Sequence, residues 1–379
     1  MINNLKQTLS RLIVNFPGWR TNRKIVVIES DDWGSIRMPN RDTYDKLLKL
    51  GLRVDKDPYC TFDALESKQD LEAIYNVLSE FKDKNNRNPI ITFNTVVANP
   101  DFKRIEENNF EHYIYESFDK TLNKYYGDDT FEYWLIGIKE GFIKPQFHGR
   151  EHLYVKKWMT HLRSRFEPTY TAFKHNTFGL TSFVDKRTPG DYMGAFNSGE
   201  LSDLKCFEEI LEDGLKIFTQ LFGFSSKSFI ATTYTWSPYL ERKISQLGIK
   251  YLQGMVHQRI PVDDDHRFVY KKNNFTGFRS HYGLIYLTRN CYFEPSQNPT
   301  FDWINDCLKR IKIAFFWGKP VILSTHRLNF IGTIFRENRE NNIKLFKILL
   351  KNITQMYPNV EFMSSDELGD LIYSEIVKE

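Results

Sequence analysis

Cysteine is scarce in this chain. The four present among 379 residues, Cys60, Cys206, Cys291 and Cys307, lie far apart and form no CxxC pair. That spacing excludes a zinc knuckle and a thioredoxin-like motif. So few cysteines in so long a chain also argue against a disulfide scaffold. Long apolar runs are missing too. No window approaches the uninterrupted stretch that a bilayer-spanning helix needs, so no integral membrane segment is expected. The N-terminal run Leu12-Ile13-Val14 is too short for a secretory core, which places the chain in the cytoplasm as an expectation. Leu5, Leu9, Leu12 and Ile13 predict instead a short helix packed on the domain, an extension over residues 1–20. An excess of one charge is absent: 52 Lys and Arg face 48 Asp and Glu. With no basic stripe, no nucleic-acid partner is expected. Repeats, low-complexity tracts and Pro/Gly/Ser linkers are lacking as well. Residues 1–379 therefore read as a single domain.

What the chain does have is bulk. Aromatics make up 15% of it, enough for a large core and too much for a disordered chain. Short β-branched runs recur: 24–30 (KIVVIES), 90–97 (IITFNTVV), 142–147, 228–233, 249–253, 283–288, 320–325 (PVILST) and 360–363. Between them lie helical patterns, such as Leu71, Ile74, Tyr75 and Leu78, or Phe207, Ile210, Leu211 and Phe218. Strands alternating with helices predict an α/β fold with a parallel sheet, either a (β/α) barrel or a doubly wound open sheet. One stretch breaks the rhythm. Residues 153–227 separate two strands by far more than a crossover requires, and an excursion of that length suits a substrate site.

Three motifs follow three of these strands, at the end where catalytic groups gather in parallel α/β folds. The first is Asp31-Asp32 after KIVVIES. Adjacent carboxylates behind a buried strand repel and resist ionisation; a bound cation relieves one and leaves the other as a base. The second is His148-Gly-Arg-Glu-His152. At that spacing two imidazoles share one face of a helical turn and can hold one metal ion. The third is His326, leaving the apolar strand 320–325, where an imidazole can act as acid or base.

Together the motifs resemble those of the polysaccharide deacetylase family, carbohydrate esterase family four. The stretches 91–97, 319–326 and 359–368 are similar to that family's second, last catalytic and closing elements. The resemblance implies a distorted (β/α)7-type barrel over residues 24–372, with a long helical insertion after the third strand. It implies a divalent metal held by Asp32, His148 and His152, most often zinc, with manganese, cobalt or nickel as substitutes. Asp31 would be the general base and His326 the general acid. The expected reaction is hydrolytic deacetylation of an N- or O-acetylated sugar in a polysaccharide or its precursor. Tyr234, Trp236, Arg150, Arg327 and Asn329 are the candidate carbohydrate-binding residues.

Two departures stand out. The family's arginine beside the base has no counterpart in 229–236 (FIATTYTW), and its acid-tuning aspartate has none in 251–254 (YLQG). Arg150, Arg279 or Arg327 is expected to replace the former, and Glu151, Asp191 or Glu294 the latter. These gaps leave two further readings open. One is a sugar-binding barrel without catalysis. The other is a glycoside hydrolase, which needs two opposed carboxylates about 5–10 Å apart.

Overall fold

A computed structural model describes residues 12–127, 129–188, 192–263, 267–271 and 274–376. Most of the expected N-terminal helix, and Asp191, lie outside them. No helix among the described residues is long and apolar enough to cross a membrane.

Nine parallel strands make the main sheet: β1 (Lys24–Trp33), β2 (Ile91–Val96), β3 (Ile143–Gly149), β4 (Ser228–Phe229), β5 (Tyr251–Gly254), β6 (Ile285–Thr288), β7 (Cys291–Tyr292), β8 (Val321–His326) and β9 (Val360–Met363). Their order is β6-β5-β4-β3-β2-β1-β8-β7, and β9 joins the first residues of β1. β6 and β7 occupy opposite ends of this order, yet only Arg289 and Asn290 separate them. The Arg289 amide bonds the Gly254 carbonyl of β5, and the Asn290 amide bonds the Ile322 carbonyl of β8. Two residues can span the two sheet edges only if the sheet has curled until they meet. Counting β6 and β7 as one broken strand, the ring has seven positions. The expected distorted (β/α)7-type barrel is therefore what the chain forms.

Inward-facing side chains are graded along the barrel axis. Ile25 and Val27 of β1 point in and pack with Ile322, Ile285, Leu287 and Tyr251; Leu368 and Ile372 of the last helix, Ser365–Ile376, seal that end. Val26 and Ile28 alternate outward into the core beneath the helices. One pleat further along, Glu29 and then Asp31 succeed Val27, and Ser324 and His326 succeed Ile322. The closed end is apolar and the open end is charged.

The crossover helices form for ordinary reasons. Helix α1 (Lys68–Ser79) starts at a capping box, with Ser67 and Asp70 bonding each other's amides, and buries Leu71, Ile74, Tyr75 and Leu78. The excursion after β3 supplies two short helices, Val155–Arg163 and Glu167–Lys174, and the long helix α2 (Leu201–Phe222). Gly214 in α2 lies so close to β3 that a Cβ there would sit 2.7 Å from the Phe147 ring. The insertion is thereby seated on the strand that carries His148.

Candidate active site

Successive residues of a regular strand point to opposite faces, so Asp31 and Asp32 should diverge. They do not, because β1 breaks register with β2 between Ser30 and Trp33, and Asp32 adopts a left-handed backbone with φ 75°. Aspartate tolerates that region better than most residues. Both carboxylates consequently reach the open end of the barrel.

The histidine pair is arranged differently from the sequence expectation. His148 is on β3 and His152 is in the following loop, so no helical turn joins them. Gly149, at φ 131°, turns the chain back between them. Their Nε2 atoms still converge, 3.3 and 3.1 Å from Asp32 Oδ1. Donor atoms of Asp32, His148 and His152 all lie within 4.8 Å of one another, and all three residues are buried.

This trio suits a cation. His148 Nδ1 lies 2.9 Å from the Ile230 carbonyl oxygen, which can only accept, so Nδ1 carries the proton. Nε2 faces Asp32 Oδ1, which can only accept, so the contact needs a positive charge: a second proton on the ring or a cation held by both atoms. The formal charges agree. Glu29, Asp31, Asp32, Asp63, Glu66 and Glu294 surround Arg37, Arg289, Arg327 and His326, leaving two negative charges in excess with His326 protonated. Two nitrogens and one carboxylate oxygen are a donor set that zinc and its neighbours accept.

Asp31 is not one of the trio's clustered donors. Its oxygens receive Arg289 Nη2 and Nη1, each at 2.6 Å, and Oδ1 also receives Asn94 Nδ2 at 2.7 Å. Arg289 is fully buried and donates besides to Glu29, Tyr234 and Ser324. Burial pushes the Asp31 carboxyl up, but the Arg289 guanidinium outweighs it and holds the group at about 2. Arg289 thus occupies the place of the arginine absent after β4. None of the three arginines expected there does so. Arg150 pairs with Glu151 and Asp213, Arg327 is buried between Asp63 and Glu66, and Arg279 is exposed. A signal did exist: like the three motifs, Arg289 follows an apolar strand directly.

His326 faces Asp31, with Nε2 3.7 Å from Oδ2. Its Nδ1 bonds Glu294 at 2.6 Å, and Asn329 Nδ2 donates to the other Glu294 oxygen at 2.8 Å. Burial opposes the imidazolium, but Glu294, with Asp31 and Asp32 behind it, pushes the group up to about 9. Of the acids expected beside His326, Glu294 is in contact and Glu151 is held by Arg150, while Asp191 lies outside the described residues.

A cavity of about 700 Å³ opens over these groups. The buried Asp31, Asp32, His148 and His152, with His326, form its floor, and Tyr59, Tyr234 and, from the insertion, Phe183 and Met193 also line it. Of the expected sugar contacts, Tyr234 lines it. Trp236 does not: it is buried in the core with its indole N–H on Glu241. Arg150, Arg327 and Asn329 are likewise absent from the lining, and Asn329 serves Glu294 instead.

No family model and no curated protein matches the chain. Solved structures do align with it. A protein assigned to the polysaccharide deacetylases from Mycobacterium smegmatis is 12% identical, with TM-score 0.43, over 95% of this chain and 93% of that one. A peptidoglycan deacetylase from Bacillus subtilis is 10% identical, with TM-score 0.34, over 94% and 95%. A 4-alpha-glucanotransferase from Thermococcus litoralis is 10% identical, with TM-score 0.44, over 91% of this chain and 40% of that one. Likeness this remote spans different reactions.

Proposed function

We propose that this chain is a metal-dependent hydrolase that removes an acetyl group from an N- or O-acetylated sugar, a divergent polysaccharide deacetylase. One observation carries the reading. Five residues from three distant segments, Asp31, Asp32, His148, His152 and His326, meet on the floor of one cavity. In this reading residues 1–379 act as one barrel domain, with 153–227 inserted and 1–20 as an extension.

Asp32, His148 and His152 would hold the divalent ion, with zinc favoured over manganese, cobalt and nickel. When bound, the ion supplies Lewis acidity toward the acyl carbonyl and toward water. Asp31 takes the proton of the attacking water, and Arg289 keeps that carboxylate ionised and aimed. His326 gives its Nε2 proton to the sugar nitrogen or oxygen as the bond to the acyl carbon breaks and acetate departs. Glu294 stabilises the imidazolium until that transfer and fixes the proton-bearing face of the ring.

The departures from the family pattern lose their weight here. Arg289 and Glu294 reach the base and the acid from the barrel closure, so the ground for reading a non-catalytic sugar binder is weakened. A glycoside hydrolase is less well supported, because Asp31 and Asp32 are neighbours, each committed to its own cations. The test is acetate release from N-acetylated oligosaccharides by metal-replete protein. Release that Asp31→Asn abolishes supports the reading; release unaffected by that change removes the assigned base.

A further inference from the structure

We propose that the sugar accepted here is acidic. Its carboxylate or phosphate meets Arg37 inside the cavity and is drawn in by Lys56 and Arg259 at the rim. The inference rests on the reading above only for the sugar itself.

Arg37 lines the cavity and is buried, with 7% of its side chain exposed. One nitrogen, Nη2, bonds Asp32 Oδ2 at 3.1 Å. Nε has no hydrogen-bond partner among the described residues; its nearest carboxylate oxygen, on Asp63, is 3.6 Å away and already bonds Arg327. That nitrogen is shut off from solvent and faces Asp63, so it is not the one that meets a ligand. Of the two carboxylates paired with Arg37, Asp32 is also a candidate metal ligand and Asp63 is shared with Arg327, so an ion on Asp32 would take up much of the charge that Arg37 relies on. Nη1 has no hydrogen-bond partner among the described residues, and a substrate anion in the cavity would meet it there.

The rim points the same way. Lys56 and Arg259 are both exposed on the cavity edge. Lys56 has only Asp55, at 3.8 Å, and Arg53 already holds that carboxylate through both oxygens. Arg259 has no ion pair among the described residues. Asp57, which lines the same cavity, is occupied by the Tyr59 amide and the Thr181 hydroxyl. With a divalent ion below, the inner cluster is formally neutral, and two cations against one acid leave the mouth positive. Such a mouth concentrates anions and speeds their entry. Guanidinium recognises carboxylate and phosphate by the same fork of N–H donors, so both remain as arms of the test.

Binding is measured before catalysis. Protein carrying its metal is titrated calorimetrically with glucose, glucuronic acid, N-acetylglucosamine and N-acetylglucosamine 1-phosphate, at low and high salt. At least one acidic sugar should bind about tenfold or more tightly than its neutral counterpart, a ratio that one charge-assisted hydrogen bond can supply. The advantage should shrink with salt. The uronate and phosphate arms identify the anion. Arg37→Gln should abolish the preference, and Lys56→Ala with Arg259→Ala should reduce it; the exposed rim pair carries the test if Arg37→Gln fails to fold. Equal affinity for acidic and neutral sugars overturns the proposal, as does a preference that none of these substitutions alters. Acetate release is scored separately. Release with no acidic preference sinks this proposal alone, whereas an acidic preference without release sinks only the hydrolytic reading.

Discussion

Arg289 grips both oxygens of Asp31 at 2.6 Å across 258 positions of chain. It also holds Glu29 at 2.6 Å, so one buried guanidinium balances two buried carboxylates. Removing one partner of a buried pair strands the other, at a typical cost of about 3–5 kcal/mol. Arg289→Met should therefore lower unfolding stability by about that amount, measured by urea denaturation, and abolish acetate release. Adding Glu29→Gln removes one stranded charge and should recover part of the stability. Activity should stay lost, because Asp31 remains unaimed. A double variant that regains both would show that Arg289 serves the fold alone.

Glu294 sets the alkaline limit of activity. His326 is held up to about 9 chiefly by Glu294 against the penalty of burial. An acid must be protonated to act, so activity should fall as pH rises through that value. In Glu294→Gln the attraction is gone, and the fall should move toward neutral pH. The stability sign follows from the same shift. A folded-state pKa above the unfolded one contributes stability that is fully present below about 6.5 and lost as pH rises toward 9. The wild type should accordingly lose more melting temperature than Glu294→Gln between those pH values. Identical pH–rate profiles for the two proteins would contradict the role given to Glu294.

The Asp32, His148 and His152 trio predicts one divalent ion per chain. Elemental analysis of purified protein should find it, and His148→Ala should lose it together with acetate release. Chelation should lower the melting temperature, since an ion that binds only the folded chain stabilises it by mass action. Retention of a full equivalent of metal by Asp32→Asn and His148→Ala would place the ion elsewhere.

Gly214 tests how the insertion supports the site. Alanine in a helix interior is ordinarily better than glycine by about 1 kcal/mol. Here a Cβ would stand 2.7 Å from the Phe147 ring and 3.0 Å from Arg150 Cβ. Phe147 is fully buried beside His148 and cannot give way cheaply. Overpacking of this kind costs about 1–3 kcal/mol, so Gly214→Ala should destabilise the protein. It should also weaken metal affinity by displacing β3. A stabilised Gly214→Ala protein would mean that α2 sits loosely on that strand.

The alternation of β-branched runs with amphipathic stretches was readable from residue order, because strand and helix periodicities are local properties. So were Asp31-Asp32, the His148/His152 pair and His326, since each follows its strand directly. Local order could not reveal that a break in β1 turns both aspartates the same way, or that Gly149 rather than a helical turn brings the imidazoles together. Backbone register and a positive φ are settled by neighbouring strands. Nor could it single out Arg289 and Glu294. They flank the short strand β7, on the chain that joins the two edges of the sheet. Their partners lie on β1 and β8; the sheet order sets β8 between β7 and β1, which are remote in sequence. Charge pairing across strands so far apart in the chain depends on that order and on the curl that turns their side chains into one interior, and both are properties of the whole sheet.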